Sequence, residues 1–156
     1  MMGKLLTVMV MCLGGHKMDI FIATYPFGVT GEKPVKVLEE TGWNLHYNSL
    51  GRRLKVNDSI NEVRDMIVNM DGVLAGTEPY SRETIESCKN LKVISRVGIG
   101  LDNVDFEACK ENGVIVTYTP EAPSNGVADL TVAQIINLLR GVHISNNLEK
   151  RESGRG

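Results

Sequence analysis

The chain has 156 residues, 42% hydrophobic and 23% charged, with a net charge of −2, the size and balance of a globular domain able to bury a proper core. Aromatic residues make up only 5% and no Lys/Arg-rich run occurs, which argues against a nucleic-acid-binding surface. The three cysteines, Cys12, Cys88 and Cys109, lack the number and spacing of a disulfide framework or a zinc site, and read as small buried residues in a reducing, cytoplasmic setting.

Residues 1–17 set a basic residue before an apolar run and then small residues, a weak signal-peptide pattern too short for a transmembrane helix. A second start is available at Met18, directly before a strand. A misplaced start or a disordered extension over 1–17 is therefore expected, with export as the alternative. MDIFIATYPFG (18–28) reads as a buried strand stopped by Pro26 and Gly28, and EKPVKVLEETG (32–42) as a helix ended by Gly42. WNLHYN (43–48) alternates as a strand does. NDSINEVRDMIVNM (57–70) opens on capping residues and sets Ile60, Val63, Ile67 and Met70 on one helical face. DGVLAGT (71–77) and LKVISRVG (91–98) are strands, and SRETIESCKN (81–90) between them is a helix begun by Ser81. NVDFEACKENG (103–113) is a helix closed by Gly113. VIVTYTP (114–120) is a strand stopped by Pro120, and residues 125–150 form one long, largely apolar helix. The tail, 148–156, is polar and glycine-rich and reads as a linker.

Strict β-α alternation predicts an α/β fold, a doubly wound parallel sheet of five strands with helices on both faces. The strands are apolar runs, as suits a sheet covered on both sides. Ligands of such sheets sit outside the carboxyl ends of the strands. TYPFG, GTEPYS and RVGIGLDNVD emerge there. Glycines at 98 and 100 leave main-chain N–H groups uncovered beside a helix start, an arrangement able to hold a carboxylate. The plainer reading is a tight turn with Asp102 or Asn103 capping the helix. Asp102 and Asp105 are explained by capping and dipole complementarity. Arg96 either holds an anionic substrate or ties the loop down. The third glycine of a dinucleotide fingerprint is missing, since position 103 is Asn. None of His16, His46 and His143 has an evident acid or nucleophile partner.

The order of these motifs carries a resemblance. R-x-G-x-G-x-D-N-V-D at 96–105, G-V-x-V at 113–116 and T-P-x-A-P-x-N-x-V-A-D-x-T at 119–131, with the apolar helix that follows, resemble the substrate domain of the NAD-dependent D-isomer-specific 2-hydroxyacid dehydrogenases. The phosphoglycerate dehydrogenase branch is the most similar, with Asp129 where the family more often has Glu. The resemblance runs more weakly over 18–90, through DGVLAGTEPYSRETIE.

The resemblance implies a flavodoxin-like substrate domain over 18–125, an inter-domain and dimerisation helix over 126–147, and a tail, 148–156, leading to a Rossmann cofactor domain that this chain does not carry. It implies that main-chain N–H groups of Val97 and Gly98 hold the substrate carboxylate, with Ile99 and Gly100 shaping the loop and Arg96 near the substrate. Thr131 matches a position facing the nicotinamide end of NAD. The implied activity is hydride transfer between NAD and C2 of a small D-2-hydroxy acid. The implied partners are that acid and a second copy of the chain, with no nucleic acid and no membrane. The family's catalytic Arg/Glu/His set comes after Gly156, so the chain by itself is expected to be inactive. Gly76 stands near a phosphate-gripping arginine of phosphoglycerate-type members, which turns the expectation away from 3-phosphoglycerate. The alternative is a non-catalytic flavodoxin-like module that binds a small carboxylate or a protein partner.

Overall fold

The computed structural model describes residues 17–25, 27–28, 31–55, 60–120 and 124–153, with 148–153 as backbone only. The extension expected over 1–17 and the capping residues expected at 57–59 fall almost wholly outside the described residues.

The elements follow in the order β1 (Asp19–Ile22), α1 (Lys33–Glu39), β2 (Asn44–Tyr47), α2 (Ile60–Ile67), β3 (Gly72–Ala75), α3 (Arg82–Ser87), β4 (Val93–Arg96), α4 (Phe106–Glu111), β5 (Ile115–Tyr118), α5 (Ser124–Arg140) and α6 (Val142–Ser153). All strand pairs are parallel, in the order β2-β1-β3-β4-β5. This is the flavodoxin-like arrangement, whose order reverses between β1 and β3.

Alternation along the strands sends side chains to two cores. Phe21, Val73 and Ile94 pack with Ile67, Ile85 and Tyr80 on one face; Ile20, Ile22, Leu74 and Val93 pack with Leu38 and Trp43 on the other. The apolar runs of β3 and β4 are buried throughout, as expected of central strands. β2 and β5 differ from that expectation, because they are edges: neither has a buried residue. On α2, Val63 and Ile67 enter the core and Met70 packs against it, whereas Ile60 is exposed. Ile60 opens the helix, one turn before the face closes on the sheet.

Ser81 caps α3 as expected, its Oγ accepting from the Thr84 N–H at 3.4 Å. The cap of α4 is Asp105, whose Oδ1 accepts from the Ala108 N–H at 2.8 Å, and not Asp102 or Asn103. The helix simply begins later than its sequence pattern suggests. Cys88 and Cys109 are free and buried, and burial pushes both thiols up to about 11.

The chain divides into two compact units, Met1–Pro120 and Glu121–Gly156. The second holds two helices, not the single one expected over 125–150. Gly141, at φ 62°, ends α5 in a left-handed turn that other residues adopt at a cost, and its carbonyl then accepts from Ile144 and Ser145 as α6 begins. No residue of α5 is buried. No helix among the described residues is long and apolar enough to cross a membrane.

Candidate functional site

Reversal of strand order leaves a depression at the carboxyl ends of the central strands. A cavity of about 210 Å³ opens there, lined by Ala23–Tyr25 after β1, Arg53 and Leu54 after β2, Gly76–Glu78 after β3, and Arg96 and Val97 at the end of β4. The segments expected after β1, β3 and β4 thus do meet. The loop after β2 was not expected, since Arg53 carries no motif and reaches the site only through the position of β2 beside β1.

Hydrogen bonds zip the loops after β3 and β4 together. Asn103 Nδ2 donates to the Glu78 carbonyl at 2.6 Å, the Tyr80 N–H donates to the Asn103 carbonyl at 2.7 Å, and the Asp105 N–H donates to the Tyr80 carbonyl at 3.0 Å. The D-N-V-D run is therefore scaffolding: Asn103 fixes the neighbouring loop and Asp105 caps the helix.

The glycine hook departs from its expected role in one respect. The Val97 N–H is spent on the Ala75 carbonyl at 2.9 Å, continuing the sheet. The Gly98 N–H donates to Thr119 Oγ1 at 2.9 Å, and the Thr119 N–H returns to the Gly98 carbonyl at 3.1 Å. Neither amide is free for a carboxylate in this state. The amides of Ile99 and Gly100 have no acceptor among the described residues. Those two, expected only to shape the loop, are its open donors.

Of the two roles considered for Arg96, the tie to the loop is seen directly. It is only 8% exposed, its Nη1 donates to the Val97 carbonyl at 2.7 Å, and it lines the cavity with its buried Nε unpartnered. Gly98, at φ 152°, makes room for it: a Cβ there would stand 2.6 Å from Nη1. Loop and arginine are thus one device.

Glu78 was missed by the sequence reading. It is 1% exposed, and its Oε1 accepts from the Gly76 N–H at 2.7 Å and from the Tyr80 hydroxyl. Burial first, and then the Glu78 charge, hold the Tyr80 phenol well above its ordinary pKa, so that it stays a donor. Oε2 is buried without a partner, and a Cβ on Gly76 would stand 2.8 Å from it. A signal existed: Gly-Thr-Glu-Pro directly after an apolar strand puts an acid where a ligand would sit.

Thr131 lies in the second unit, on α5, exposed, its hydroxyl donating to the Val127 carbonyl at 2.7 Å. The turn at 98–100 does not supply a dinucleotide cradle: Asn103 replaces the third glycine, and α4 after it spans only Phe106–Glu111. Among the described residues no three His, Cys, Asp or Glu side chains are grouped to hold a metal.

The flavodoxin-like sheet, with a cavity at the carboxyl ends of its central strands, is the arrangement of an open α/β domain whose ligands sit at that edge. Residues 28–153 match the D-isomer specific 2-hydroxyacid dehydrogenase, catalytic domain, and the chain belongs to that family. D-3-phosphoglycerate dehydrogenase of Methanocaldococcus jannaschii is 35% identical over 111 residues, 71% of this chain and 20% of that protein. Hydroxypyruvate reductase of Thermotoga maritima is 36% identical over 83 residues, 53% of this chain and 26% of that protein. The NAD+-bound 3-phosphoglycerate dehydrogenase of Entamoeba histolytica superposes with a TM-score of 0.62 at 31% identity, over 78% of this chain and 39% of that one. The chain thus spans about a fifth to a quarter of the curated relatives it matches.

Proposed function

We propose that this chain is the substrate-holding part of an NAD-dependent D-2-hydroxyacid dehydrogenase, whose whole interconverts a small D-2-hydroxy acid and its 2-oxo acid. The observation that carries this is the Arg96–Gly98 device, a buried guanidinium lining the cavity, followed in the chain by the Ile99 and Gly100 amides, which have no acceptor among the described residues. Such a set holds a carboxylate with charge-assisted hydrogen bonds. In this reading Arg96 and the loop orient the acid, and the chain contributes proximity rather than proton transfer. The turn at 98–100 does not fit NAD, and Thr131 is the position here assigned to the nicotinamide end of that cofactor. By itself the chain is proposed to be inactive. A cytoplasmic setting accords with its free thiols.

We also propose that the 126–147 segment pairs with a second copy. Val127, Leu130, Ile135, Ile136, Leu138 and Leu139 are all exposed. At 100° per residue they spread over more than half of the helix circumference. A helix apolar that far round is normally covered on more than one side.

The test is titration of the isotope-labelled chain with D-lactate and D-glycerate, read by amide shifts. Saturable shifts at Ile99 and Gly100, lost in Arg96→Gln, are expected; no shift at the hook would sink the carboxylate reading. NAD(H)-dependent turnover by the purified chain would sink its inactivity.

A further inference from the structure

Charge and burial in the cavity say more about the acid than that it carries a carboxylate. The lining holds two cations, Arg53 and Arg96, and one anion, Glu78. A monoanionic acid brings that set to neutrality. A phosphorylated acid adds about 1.5 to 2 negative charges at neutral pH, with no further cation among the described lining residues to meet them.

The hydrogen-bond inventory points the same way. The hydroxyls of Thr24 and Thr77 are spent, donating to the carbonyls of Leu74 at 3.2 Å and Leu54 at 2.9 Å. Arg53 Nε is spent on the Tyr25 carbonyl at 3.0 Å. Among the charged lining groups the unpartnered acceptor is Glu78 Oε2, and the unpartnered buried donor is Arg96 Nε. Buried polar atoms without partners are rare in native proteins and mark places a ligand or water completes. Gly76 lets the carboxylate lie there, because a side chain at that position would strike Oε2.

Resting on the reading of this cavity as a 2-hydroxyacid site, we propose that it selects acids whose third carbon bears a hydroxyl, with Glu78 accepting that hydroxyl and repelling a phosphate in its place. Glu78 is a specificity residue: it recognises the end of the substrate away from the carboxylate that Arg96 holds. The Tyr80 hydroxyl and the Gly76 N–H pin its other oxygen and so fix its orientation.

Three probes that differ only at the third carbon test this: D-lactate, D-glycerate and D-3-phosphoglycerate, titrated into the full 156-residue chain with amide shifts as readout. D-Glycerate should bind roughly tenfold or more tightly than either other acid, as expected for a hydrogen bond to a charged group. Glu78→Gln keeps the shape and the contacts of Oε1. It should cost D-glycerate most of that advantage over D-lactate and strengthen D-3-phosphoglycerate most of the three. Gly76→Ala, which displaces the carboxylate while retaining its charge, should weaken D-glycerate more than D-lactate. D-Lactate binding as well as D-glycerate, or D-3-phosphoglycerate binding better, would overturn the proposal and leave the carboxylate site standing. Binding of none of the three would overturn the carboxylate reading and this proposal together.

Discussion

Two regions of one chain treat the same kind of residue in opposite ways. In the sheet unit, Ile20, Ile67, Val73 and Ile94 are fully buried; in α5, Ile135 is 52% and Leu139 80% exposed. Composition does not separate them. The central strands have a facing layer on both sides, because among the described residues five strands and four helices come from within the same 120-residue unit. In the second unit the described residues form two helices, and no residue of α5 is buried. Apolar surface is favourable only where something removes it from water. One region buries its apolar side chains among its own elements; α5 leaves its own exposed.

The largest expected effect sharpens that contrast directly. Ile94→Ala removes a fully buried side chain from β4 and should destabilise the chain by about 2–5 kcal/mol in urea unfolding. Leu139→Ala, at a mostly exposed position, should change the same midpoint by no more than about 0.5 kcal/mol. Equal costs would mean that α5 is covered within the monomer.

Association breaks the comparison from the other side. If a second copy covers α5, Ile135→Glu with Leu139→Glu should shift sedimentation of the chain from dimer to monomer while its unfolding midpoint at low concentration stays put. A wild-type chain that sediments as a monomer at high concentration would end the pairing proposal.

The sheet unit also holds polar groups as if they were core, and Tyr80→Phe probes this. It removes one of the two donors to Glu78 Oε1 without opening a cavity. Loss of about 1–3 kcal/mol is expected, the desolvation cost of a buried acceptor left short. Glu78→Gln in the same background should recover part of it. A neutral Tyr80→Phe would show that Glu78 draws no support from the hydroxyl.

What was legible in the sequence followed the same division. Runs such as VISR and GVLA announced central strands because burial on both faces leaves no polar alternation to obscure them. The flanks were harder. β2 and β5 are half-solvated edges, a property of strand order that no single stretch of sequence encodes. Gly141 sits within a long apolar helical pattern, and only its positive φ reveals the break. Near the cavity, the glycine turn and the place of Arg96 at the end of β4 were legible from spacing. That the Val97 and Gly98 amides are already taken was not, because their acceptors, Ala75 and Thr119, lie about 20 residues away on either side. Glu78 went unread for a related reason: its burial comes from Gly76, Tyr80 and the loop after β4 closing over it.

The smallest effect tests the exposed rim of the well-buried unit. At the β1–β2 edge, Asp19 Oδ1 accepts from Asn44 Nδ2 at 3.1 Å and contacts His46 Nε2 at 2.7 Å. The His46 hydrogen bond first, and then that from Asn44, hold its carboxyl below the ordinary value of 3.8. A carboxylate whose folded pKa is depressed stabilises the fold above its unfolded pKa, and loses that contribution as pH falls through the folded one. Wild type should therefore exceed Asp19→Asn in unfolding midpoint by a small, constant margin above about pH 5. That margin should close as pH is lowered below 3.8. The pair is solvent-exposed and screened, so the margin should also shrink in high salt. A margin that persisted at low pH would show that it does not come from the charge of Asp19; the backbone N–H of residue 19, which donates to Asp71 Oδ2 at 3.0 Å, is common to both chains and cancels in the comparison.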